Sequence, residues 1–384
     1  MGEMLDNSNS PAFFSQPLSR RQFLARAAFL AASPALAGAF LSACGGSGTA
    51  SQTTSASASA VPNPTGTATL MNFPGWIGPS AIPDFEKQYP GAKIHLYTQV
   101  PSSLAGYVQL IKNNPGAYDM ALADLTQIGS MKAADVYQAP DWSQIPNIAN
   151  VDAPYRAAYP DAVPSDYGFV VIGYRKDMVT EPISSWADFW KLAPKYKGQV
   201  TLFDTDRSTL GIALKYLGYS DNTTDPAQIE KARDALISLK PYLQSVASVN
   251  IGAGLAKGSI AMADCNNYEI ALAQASNKNV AYVVPEDGTS GYFEGFAPIK
   301  GSSHLDVVNA FLNFTLDPKQ YAGFVNATGT SWVVPSAEPY IKANLMKSPA
   351  LQPDKAQLDR VEWLQFVGEA SALYGKAWEQ FKAA

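Results

Sequence analysis

The sequence predicts an α/β protein built as a two-lobed clamshell with a central cleft. Three observations carry this reading. Strand-like and helix-like stretches alternate in a β-α-β-α-β order, which calls for a parallel sheet covered by helices. Two such α/β units occur, and the chain passes between them more than once. Acidic residues recur just beyond the carboxyl ends of the expected strands, which is where open α/β sheets bind ligands.

The elements follow in order. Residues 67–73 (TATLMNF) read as a first strand, closed by a turn at Pro74-Gly75. Residues 82–89 have helical spacing, with Ile82 and Phe85 on one face. A second strand is expected over 92–99, a helix over 104–113, and a short buried strand over 118–122 with Asp124 just past its end. Residues 167–175 (YGFVVIGYR) form an apolar, β-branched strand, and Ser185 is placed to cap a helix running to Leu192. Strands at 199–203 and 259–263 end at Asp204 and Asp264, and another spans 279–284. Helices are expected at 210–217, 226–239, 305–315, 318–327 and 359–382, while Glu294 opens a return crossing.

The chain's beginning reads as an address and not as part of the fold. Ser19-Arg20-Arg21-Gln22-Phe23-Leu24 fits the twin-arginine export signature, and an alanine-rich apolar stretch follows from Ala27 to Leu41. Ser33 and Pro34 interrupt that stretch, leaving it short of the ~20 apolar residues of a membrane-spanning helix. It ends in Leu41-Ser42-Ala43-Cys44-Gly45, a bacterial lipobox in which small residues admit the signal peptidase and the Cys44 thiol accepts the lipid. From Gly45 to Gly66 the chain is almost entirely Gly, Ser, Thr, Ala and Pro, a composition that cannot bury enough apolar surface to order itself. Residues 1–43 are thus expected as a signal peptide and 44–66 as a flexible tether. The expected location is the outer face of the cytoplasmic membrane, reached by the twin-arginine route and held by lipid.

Composition excludes several classes. The 384 residues carry 28 Lys+Arg against 33 Asp+Glu, a net charge of −5, with no basic run to suit nucleic acid. Once Cys44 is lipidated, Cys265 is the one remaining thiol, so no internal disulfide forms. The two histidines, His95 and His304, have no Cys or His at metal-ligand spacing, and neither a metal nor a cofactor is expected. No nucleophile elbow, P-loop, HExxH or dinucleotide fingerprint is present, so an enzyme is not expected.

The motifs Ala117-Tyr118-Asp119, SWADFW (185–190), LGYSDNTTDP (217–226) and Val367-Gly368-Glu369-Ala370 resemble the bacterial spermidine/putrescine-binding proteins, collinearly from Thr67 to about Lys382. The resemblance implies a type II periplasmic-binding-protein fold and delivery of a ligand to a polyamine-type ABC permease by a monomeric receptor. It places one lobe at 67–170 with 293–335 and the other at 171–292 with 336–384. It also implies a cleft in which rings cover an amine chain and carboxylates meet its ammonium groups. Phe73 and Trp76 match the aromatic pair after the first strand, Tyr292 and Glu294 match an aromatic-x-acid pair, and Asp204 matches an acid ahead of Arg207. Ser208, Thr126, Asp264 and Leu364 depart from the pattern, so the implied transport role is firmer than the implied cargo.

The expected ligand site is therefore Phe73, Trp76, Asp124, Asp204, Asp264, Tyr292 and Glu294. Several acids converging on a cleft want a cationic partner, because a buried carboxylate is costly unless paired. The aspartates also suit a second role. Asp124 is placed to cap the helix that follows it, and Asp204 and Asp264 each stand where a helix or turn cap belongs. Relatives with the same fold bind other solutes, but iron sites use neighbouring tyrosines, absent here, and an anion would want basic residues, of which Arg207 is the one candidate.

Overall fold

In the computed structural model, which describes residues 63–101 and 103–384, the chain enters the sheet at Gly66. The expected signal peptide, Cys44 and most of the tether lie outside the described residues. The tether gives way to structure one residue sooner than expected, since Gly66 pairs with Ala92 as the first residue of β1 (Gly66–Met71). Then follow α1 (Ala81–Gln88), β2 (Ala92–Tyr97), α2 (Leu104–Asn113), β3 (Met120–Asp124), α3 (Leu125–Ala133), α4 (Ala153–Ala158) and β4 (Val163–Arg175). The chain continues through α5 (Trp186–Leu192), β5 (Val200–Phe203), α6 (Asp206–Tyr216), α7 (Pro226–Leu239), β6 (Leu243–Ala247), α8 (Ile251–Lys257), β7 (Met262–Asn266) and α9 (Asn267–Ser276). It closes with β8 (Val280–Val283), β9 (Thr289–Pro298), α10 (Leu305–Thr315), α11 (Pro318–Thr328), β10 (Ser331–Trp332), α12 (Ala343–Met346), α13 (Lys355–Leu358), β11 (Val361–Trp363) and α14 (Ser371–Ala383).

The sheet runs β2-β1-β3-β9-β4-β7-β5-β6, with β10 and β8 on β4 and β11 on β9. β1 lies parallel to β2 and β3, and β5 lies parallel to β6 and β7. These are the two parallel units expected from the β-α-β order. Two long antiparallel strands, β4 and β9, join them. Two apolar cores result, one gathering Phe85, Tyr107, Phe169 and Phe311, the other Trp186, Phe189, Tyr374, Trp378 and Phe381. Among the described residues no helix is long and apolar enough to cross a membrane.

The family-like motifs serve the second core. Ser185 caps α5 by accepting the Asp188 N–H at 3.2 Å, while Trp186 buries its ring and donates to the Gly288 carbonyl at 3.0 Å. Trp190 stacks on Tyr216 with centroids 4.4 Å apart. In LGYSDNTTDP, the Asp221 and Thr223 carbonyls both accept from the Tyr374 hydroxyl at 2.9 Å, tying the segment to α14.

Several expectations shift, and β9 begins at Thr289, five residues before Glu294. β4 starts four residues sooner than Tyr167, because β9 also pairs with Val163, Pro164 and Asp166. β7 spans 262–266 and not 259–263, so Asp264 lies mid-strand instead of past its end. α6 starts at Asp206 rather than Leu210. The expected helix over 359–382 is broken: Val361–Trp363 is captured as a strand by β9, and Gly368 has φ of 60°.

Candidate functional site

The loop after β1 is shaped by Asn72, whose side chain accepts the Phe73 N–H and donates to the Trp76 carbonyl, both at 2.8 Å. The Trp76 N–H closes the turn on the Phe73 carbonyl at 3.1 Å. Both rings are half-buried. Trp76 reaches Tyr268, at the start of α9, with centroids 5.0 Å apart and planes at 64°, an edge-to-face contact, and also touches Phe324 at 6.2 Å.

Beside these rings lies a row of acids. β9 pairs Glu294 with Asp124 on β3 and with Asp166 on β4. Residues opposite one another in an antiparallel pair share a face, with Cβ atoms about 4.5–5.5 Å apart. Three carboxylates from three adjacent strands therefore line one level of one face. Tyr292, two residues before Glu294, stands on the same face by strand alternation. No Lys, Arg or His forms an ion pair with any of the three acids among the described residues.

Each acid is held differently. Asp124 ends β3 and caps α3, its Oδ1 accepting the Gln127 N–H at 2.8 Å and the Thr126 hydroxyl at 2.6 Å, with the Gln127 side chain returning a bond to the Asp124 N–H. The capping role is thus real, and it fixes the carboxylate beside Glu294. Asp166, fully buried, accepts the Ser165 and Thr330 hydroxyls at 2.6 and 2.7 Å. Glu294 has an enclosed Oε2 without a protein partner, and the same holds for the Tyr292 hydroxyl and the Trp76 indole N–H. The Trp76 N–H is near enough to lower the Glu294 pKa somewhat, although no hydrogen bond of ordinary geometry closes between them. Burial, then Asp166 and Asp124, push the Glu294 carboxyl well above its usual range, and burial pushes Asp166 up to about 6.

Other expected positions divide. Asp204 follows β5 as expected, half-buried, with an enclosed Oδ1 that has no protein partner. Asp264 lies in mid-strand and is fully buried. Its Oδ1 accepts the Phe203 N–H at 2.6 Å, its Oδ2 is enclosed without a protein partner, and burial raises its pKa to about 7. Arg207 is held by neutral acceptors and an aromatic ring. It donates to the Gln365 and Asp221 carbonyls and to Asn222, at 2.9, 3.3 and 3.1 Å, and lies 4.5 Å over the Tyr374 ring. Thr126 is consumed by Asp124, Leu364 is buried, and Cys265 is buried with its thiol pushed up by desolvation. Cys44 lies outside the described residues, which contain no cluster of metal-ligating side chains.

Two site residues escaped the sequence reading. Asp166 lies just before the strand expected from Tyr167, and Tyr268 sits in a helix start whose Asn266-Asn267 neighbours gave no aromatic pattern. The extension of β4 would have found the first; nothing local would have found the second.

Residues 80–353 match the family described as bacterial extracellular solute-binding protein. The chain is 27% identical over 320 residues to the spermidine/putrescine-binding periplasmic protein of Escherichia coli K12, covering 82% of this chain and 91% of that one. It is 25% identical over 331 residues to the putrescine/cadaverine-binding protein of Pseudomonas aeruginosa, covering 82% and 92%. The crystal structure of the spermidine/putrescine ABC transporter substrate-binding protein of Streptococcus pneumoniae superposes with a TM-score of 0.67 at 25% identity, covering 83% and 98%. The two parallel units joined by crossing strands, and the match across most of the chain, make this protein a member of the bacterial extracellular solute-binding family, with the two-lobed type II fold, and a binding protein and not an enzyme.

Proposed function

We propose that this chain captures a polyamine such as putrescine or spermidine outside the cytoplasmic membrane and hands it, as a monomer, to an ABC permease. The observation that carries the reading is Glu294: an enclosed carboxylate with an unpartnered oxygen, acids on both flanking strands, and no basic side chain paired to it among the described residues. Such an arrangement is costly until a cation joins it, since like charges in a low-dielectric site repel and each has lost its water. Trp76, Tyr268 and Tyr292 supply ring surface for methylenes and cation–π attraction of about 0.5–2 kcal/mol each. In this reading Asp204, whose enclosed Oδ1 has no protein partner, takes the second ammonium, and Phe73 covers the chain between. The names of the relatives, which specify spermidine, putrescine and cadaverine, support the same cargo.

In this reading the lobes are 67–170 with 293–335 and 171–292 with 336–384, hinged through β4 and β9, and they close on the ligand to form the surface a permease reads. Residues 1–43 direct twin-arginine export, Cys44 takes the lipid, and 44–66 is the leash. Cys44→Ser then shifts the protein from the membrane to the soluble extracytoplasmic fraction, and lysines at Arg20 and Arg21 retain it in the cytoplasm. The cargo is tested by equilibrium dialysis against labelled putrescine, spermidine and cadaverine. Retention of at least one at micromolar protein is expected; retention of none, with a sugar or an organic acid retained instead, overturns the amine reading.

A further inference from the structure

We propose that Asp166 is a specificity-determining residue of the ligand floor, forming with Glu294 a pair of facing carboxylates that shares one proton until an ammonium displaces it. This rests on the amine reading above and deepens it. Asp166 is opposite Glu294 in the β4–β9 pairing, so the two side chains leave one face side by side. It cannot swing away, because the Ser165 and Thr330 hydroxyls grip the carboxylate. Those donors satisfy its oxygens but bring no charge.

The surroundings supply no cation. Asp124 faces Glu294 from β3, Tyr107 from α2, Tyr159 from the segment after α4, and Tyr292 from β9. Tyr268 faces it from α9, Glu269 on the same helix faces Tyr292, Tyr321 lies against Asp166, and Asp206 faces Asp124 from α6. Every one is acidic or a phenol. Two carboxylates this close in an enclosed site do not both ionise alone, and the upward displacement of both agrees with that. An alkylammonium, protonated below about pH 9, brings the missing positive charge and no spare proton. On capture the carboxyl O–H bond of the pair breaks and its proton leaves to solvent as H⁺. Binding is then linked to proton release, and a second carboxylate favours polycations over monoamines.

The test is calorimetric titration of putrescine into the full chain at pH 5.5 to 8, in buffers of different ionisation enthalpy, for wild type and Asp166→Asn. Wild type is expected to release close to one proton near neutrality and to bind more tightly as pH rises, by at most about tenfold per pH unit for one proton. Asp166→Asn is expected to match wild type at pH 5.5 and to bind about tenfold more weakly at pH 8, with little proton release. Should Asp166→Asn fail to fold, Thr330→Val is the second readout: loss of one hydroxyl donor to Asp166 moves the proton release to higher pH. Amine binding by wild type without proton release, or a variant as pH-dependent as wild type, overturns the role of Asp166 alone. A wild-type protein that binds no amine at any pH overturns the cargo reading and this inference together.

Discussion

Gly168 lies directly opposite Tyr292 in the β4–β9 pairing, and a Cβ on Gly168 would fall 2.2 Å from the Tyr292 hydroxyl oxygen. The tyrosine ring therefore lies across the glycine, filling the space a side chain would take. Tyr292 is held there by the backbone of the neighbouring strand and not by a hydrogen bond, since its hydroxyl has no protein partner.

Gly168→Ala is accordingly expected to push the Tyr292 ring off its seat. Overpacking of this kind typically costs about 1–3 kcal/mol, and the displaced ring no longer borders Glu294. Thermal unfolding is expected to fall by several degrees and amine affinity by about tenfold or more, whereas Tyr292→Phe keeps the ring and is expected to lose less. Differential scanning calorimetry with and without putrescine separates the two effects.

Glu294→Gln opposes function and stability. The buried carboxyl, raised by burial and by its two acidic neighbours, costs stability in the folded chain whenever it ionises. Removing the charge is expected to raise the melting temperature of the ligand-free protein at pH 8 and to reduce amine affinity by about a hundredfold or more, the loss of a charge-assisted bond in an enclosed site. A variant that melts lower and binds normally would contradict both halves.

The pH dependence of ligand-free stability follows from the same groups. Asp166 is raised to about 6, and Asp221 and Asp264 to about 7, by burial first in each case. A carboxyl whose folded pKa exceeds its unfolded value of about 4 keeps its proton longer in the folded chain. The sign is thus that folding takes up protons, and stability falls as pH rises from about 4 to about 7. Melting temperature is expected to be higher at pH 5 than at pH 8 without ligand. Saturating polyamine is expected to offset much of that decline, because ammonium favours the ionised form of the site acids.

Asp264 is expected to act as a structural acid, since its Oδ1 is committed to the Phe203 N–H. Asp264→Asn keeps an acceptor for the Phe203 N–H and removes a buried charge, so amine affinity is expected within about twofold of wild type and stability unchanged or higher. Asp264→Ala strands that N–H and is expected to cost about 1–3 kcal/mol, read by urea denaturation.

Much of the architecture was legible because periodicity is local. Phe85 sits in the core where its helical spacing put it, and Asp124 and Asp204 stand at the ends of their strands as the α/β rule requires. What was not legible was set by partners distant in sequence. Asp166 is in a strand because β9 pairs with it, Val361–Trp363 is a strand and not a helix for the same reason, and Asp264 lies mid-strand because β7 starts three residues later than its apolar run suggests. Tyr268 entered the site only through the contact Trp76 makes across from the loop after β1.

The central claim is that an ammonium group is bound at Glu294 between rings and acids. Its most direct test is calorimetric titration of putrescine and spermidine into wild type and Glu294→Gln in parallel at pH 8. One saturable site per chain in wild type, lost or weakened about a hundredfold in the variant while its fold persists, is the expected result. Equal binding by both proteins would place the amine elsewhere and contradict the account.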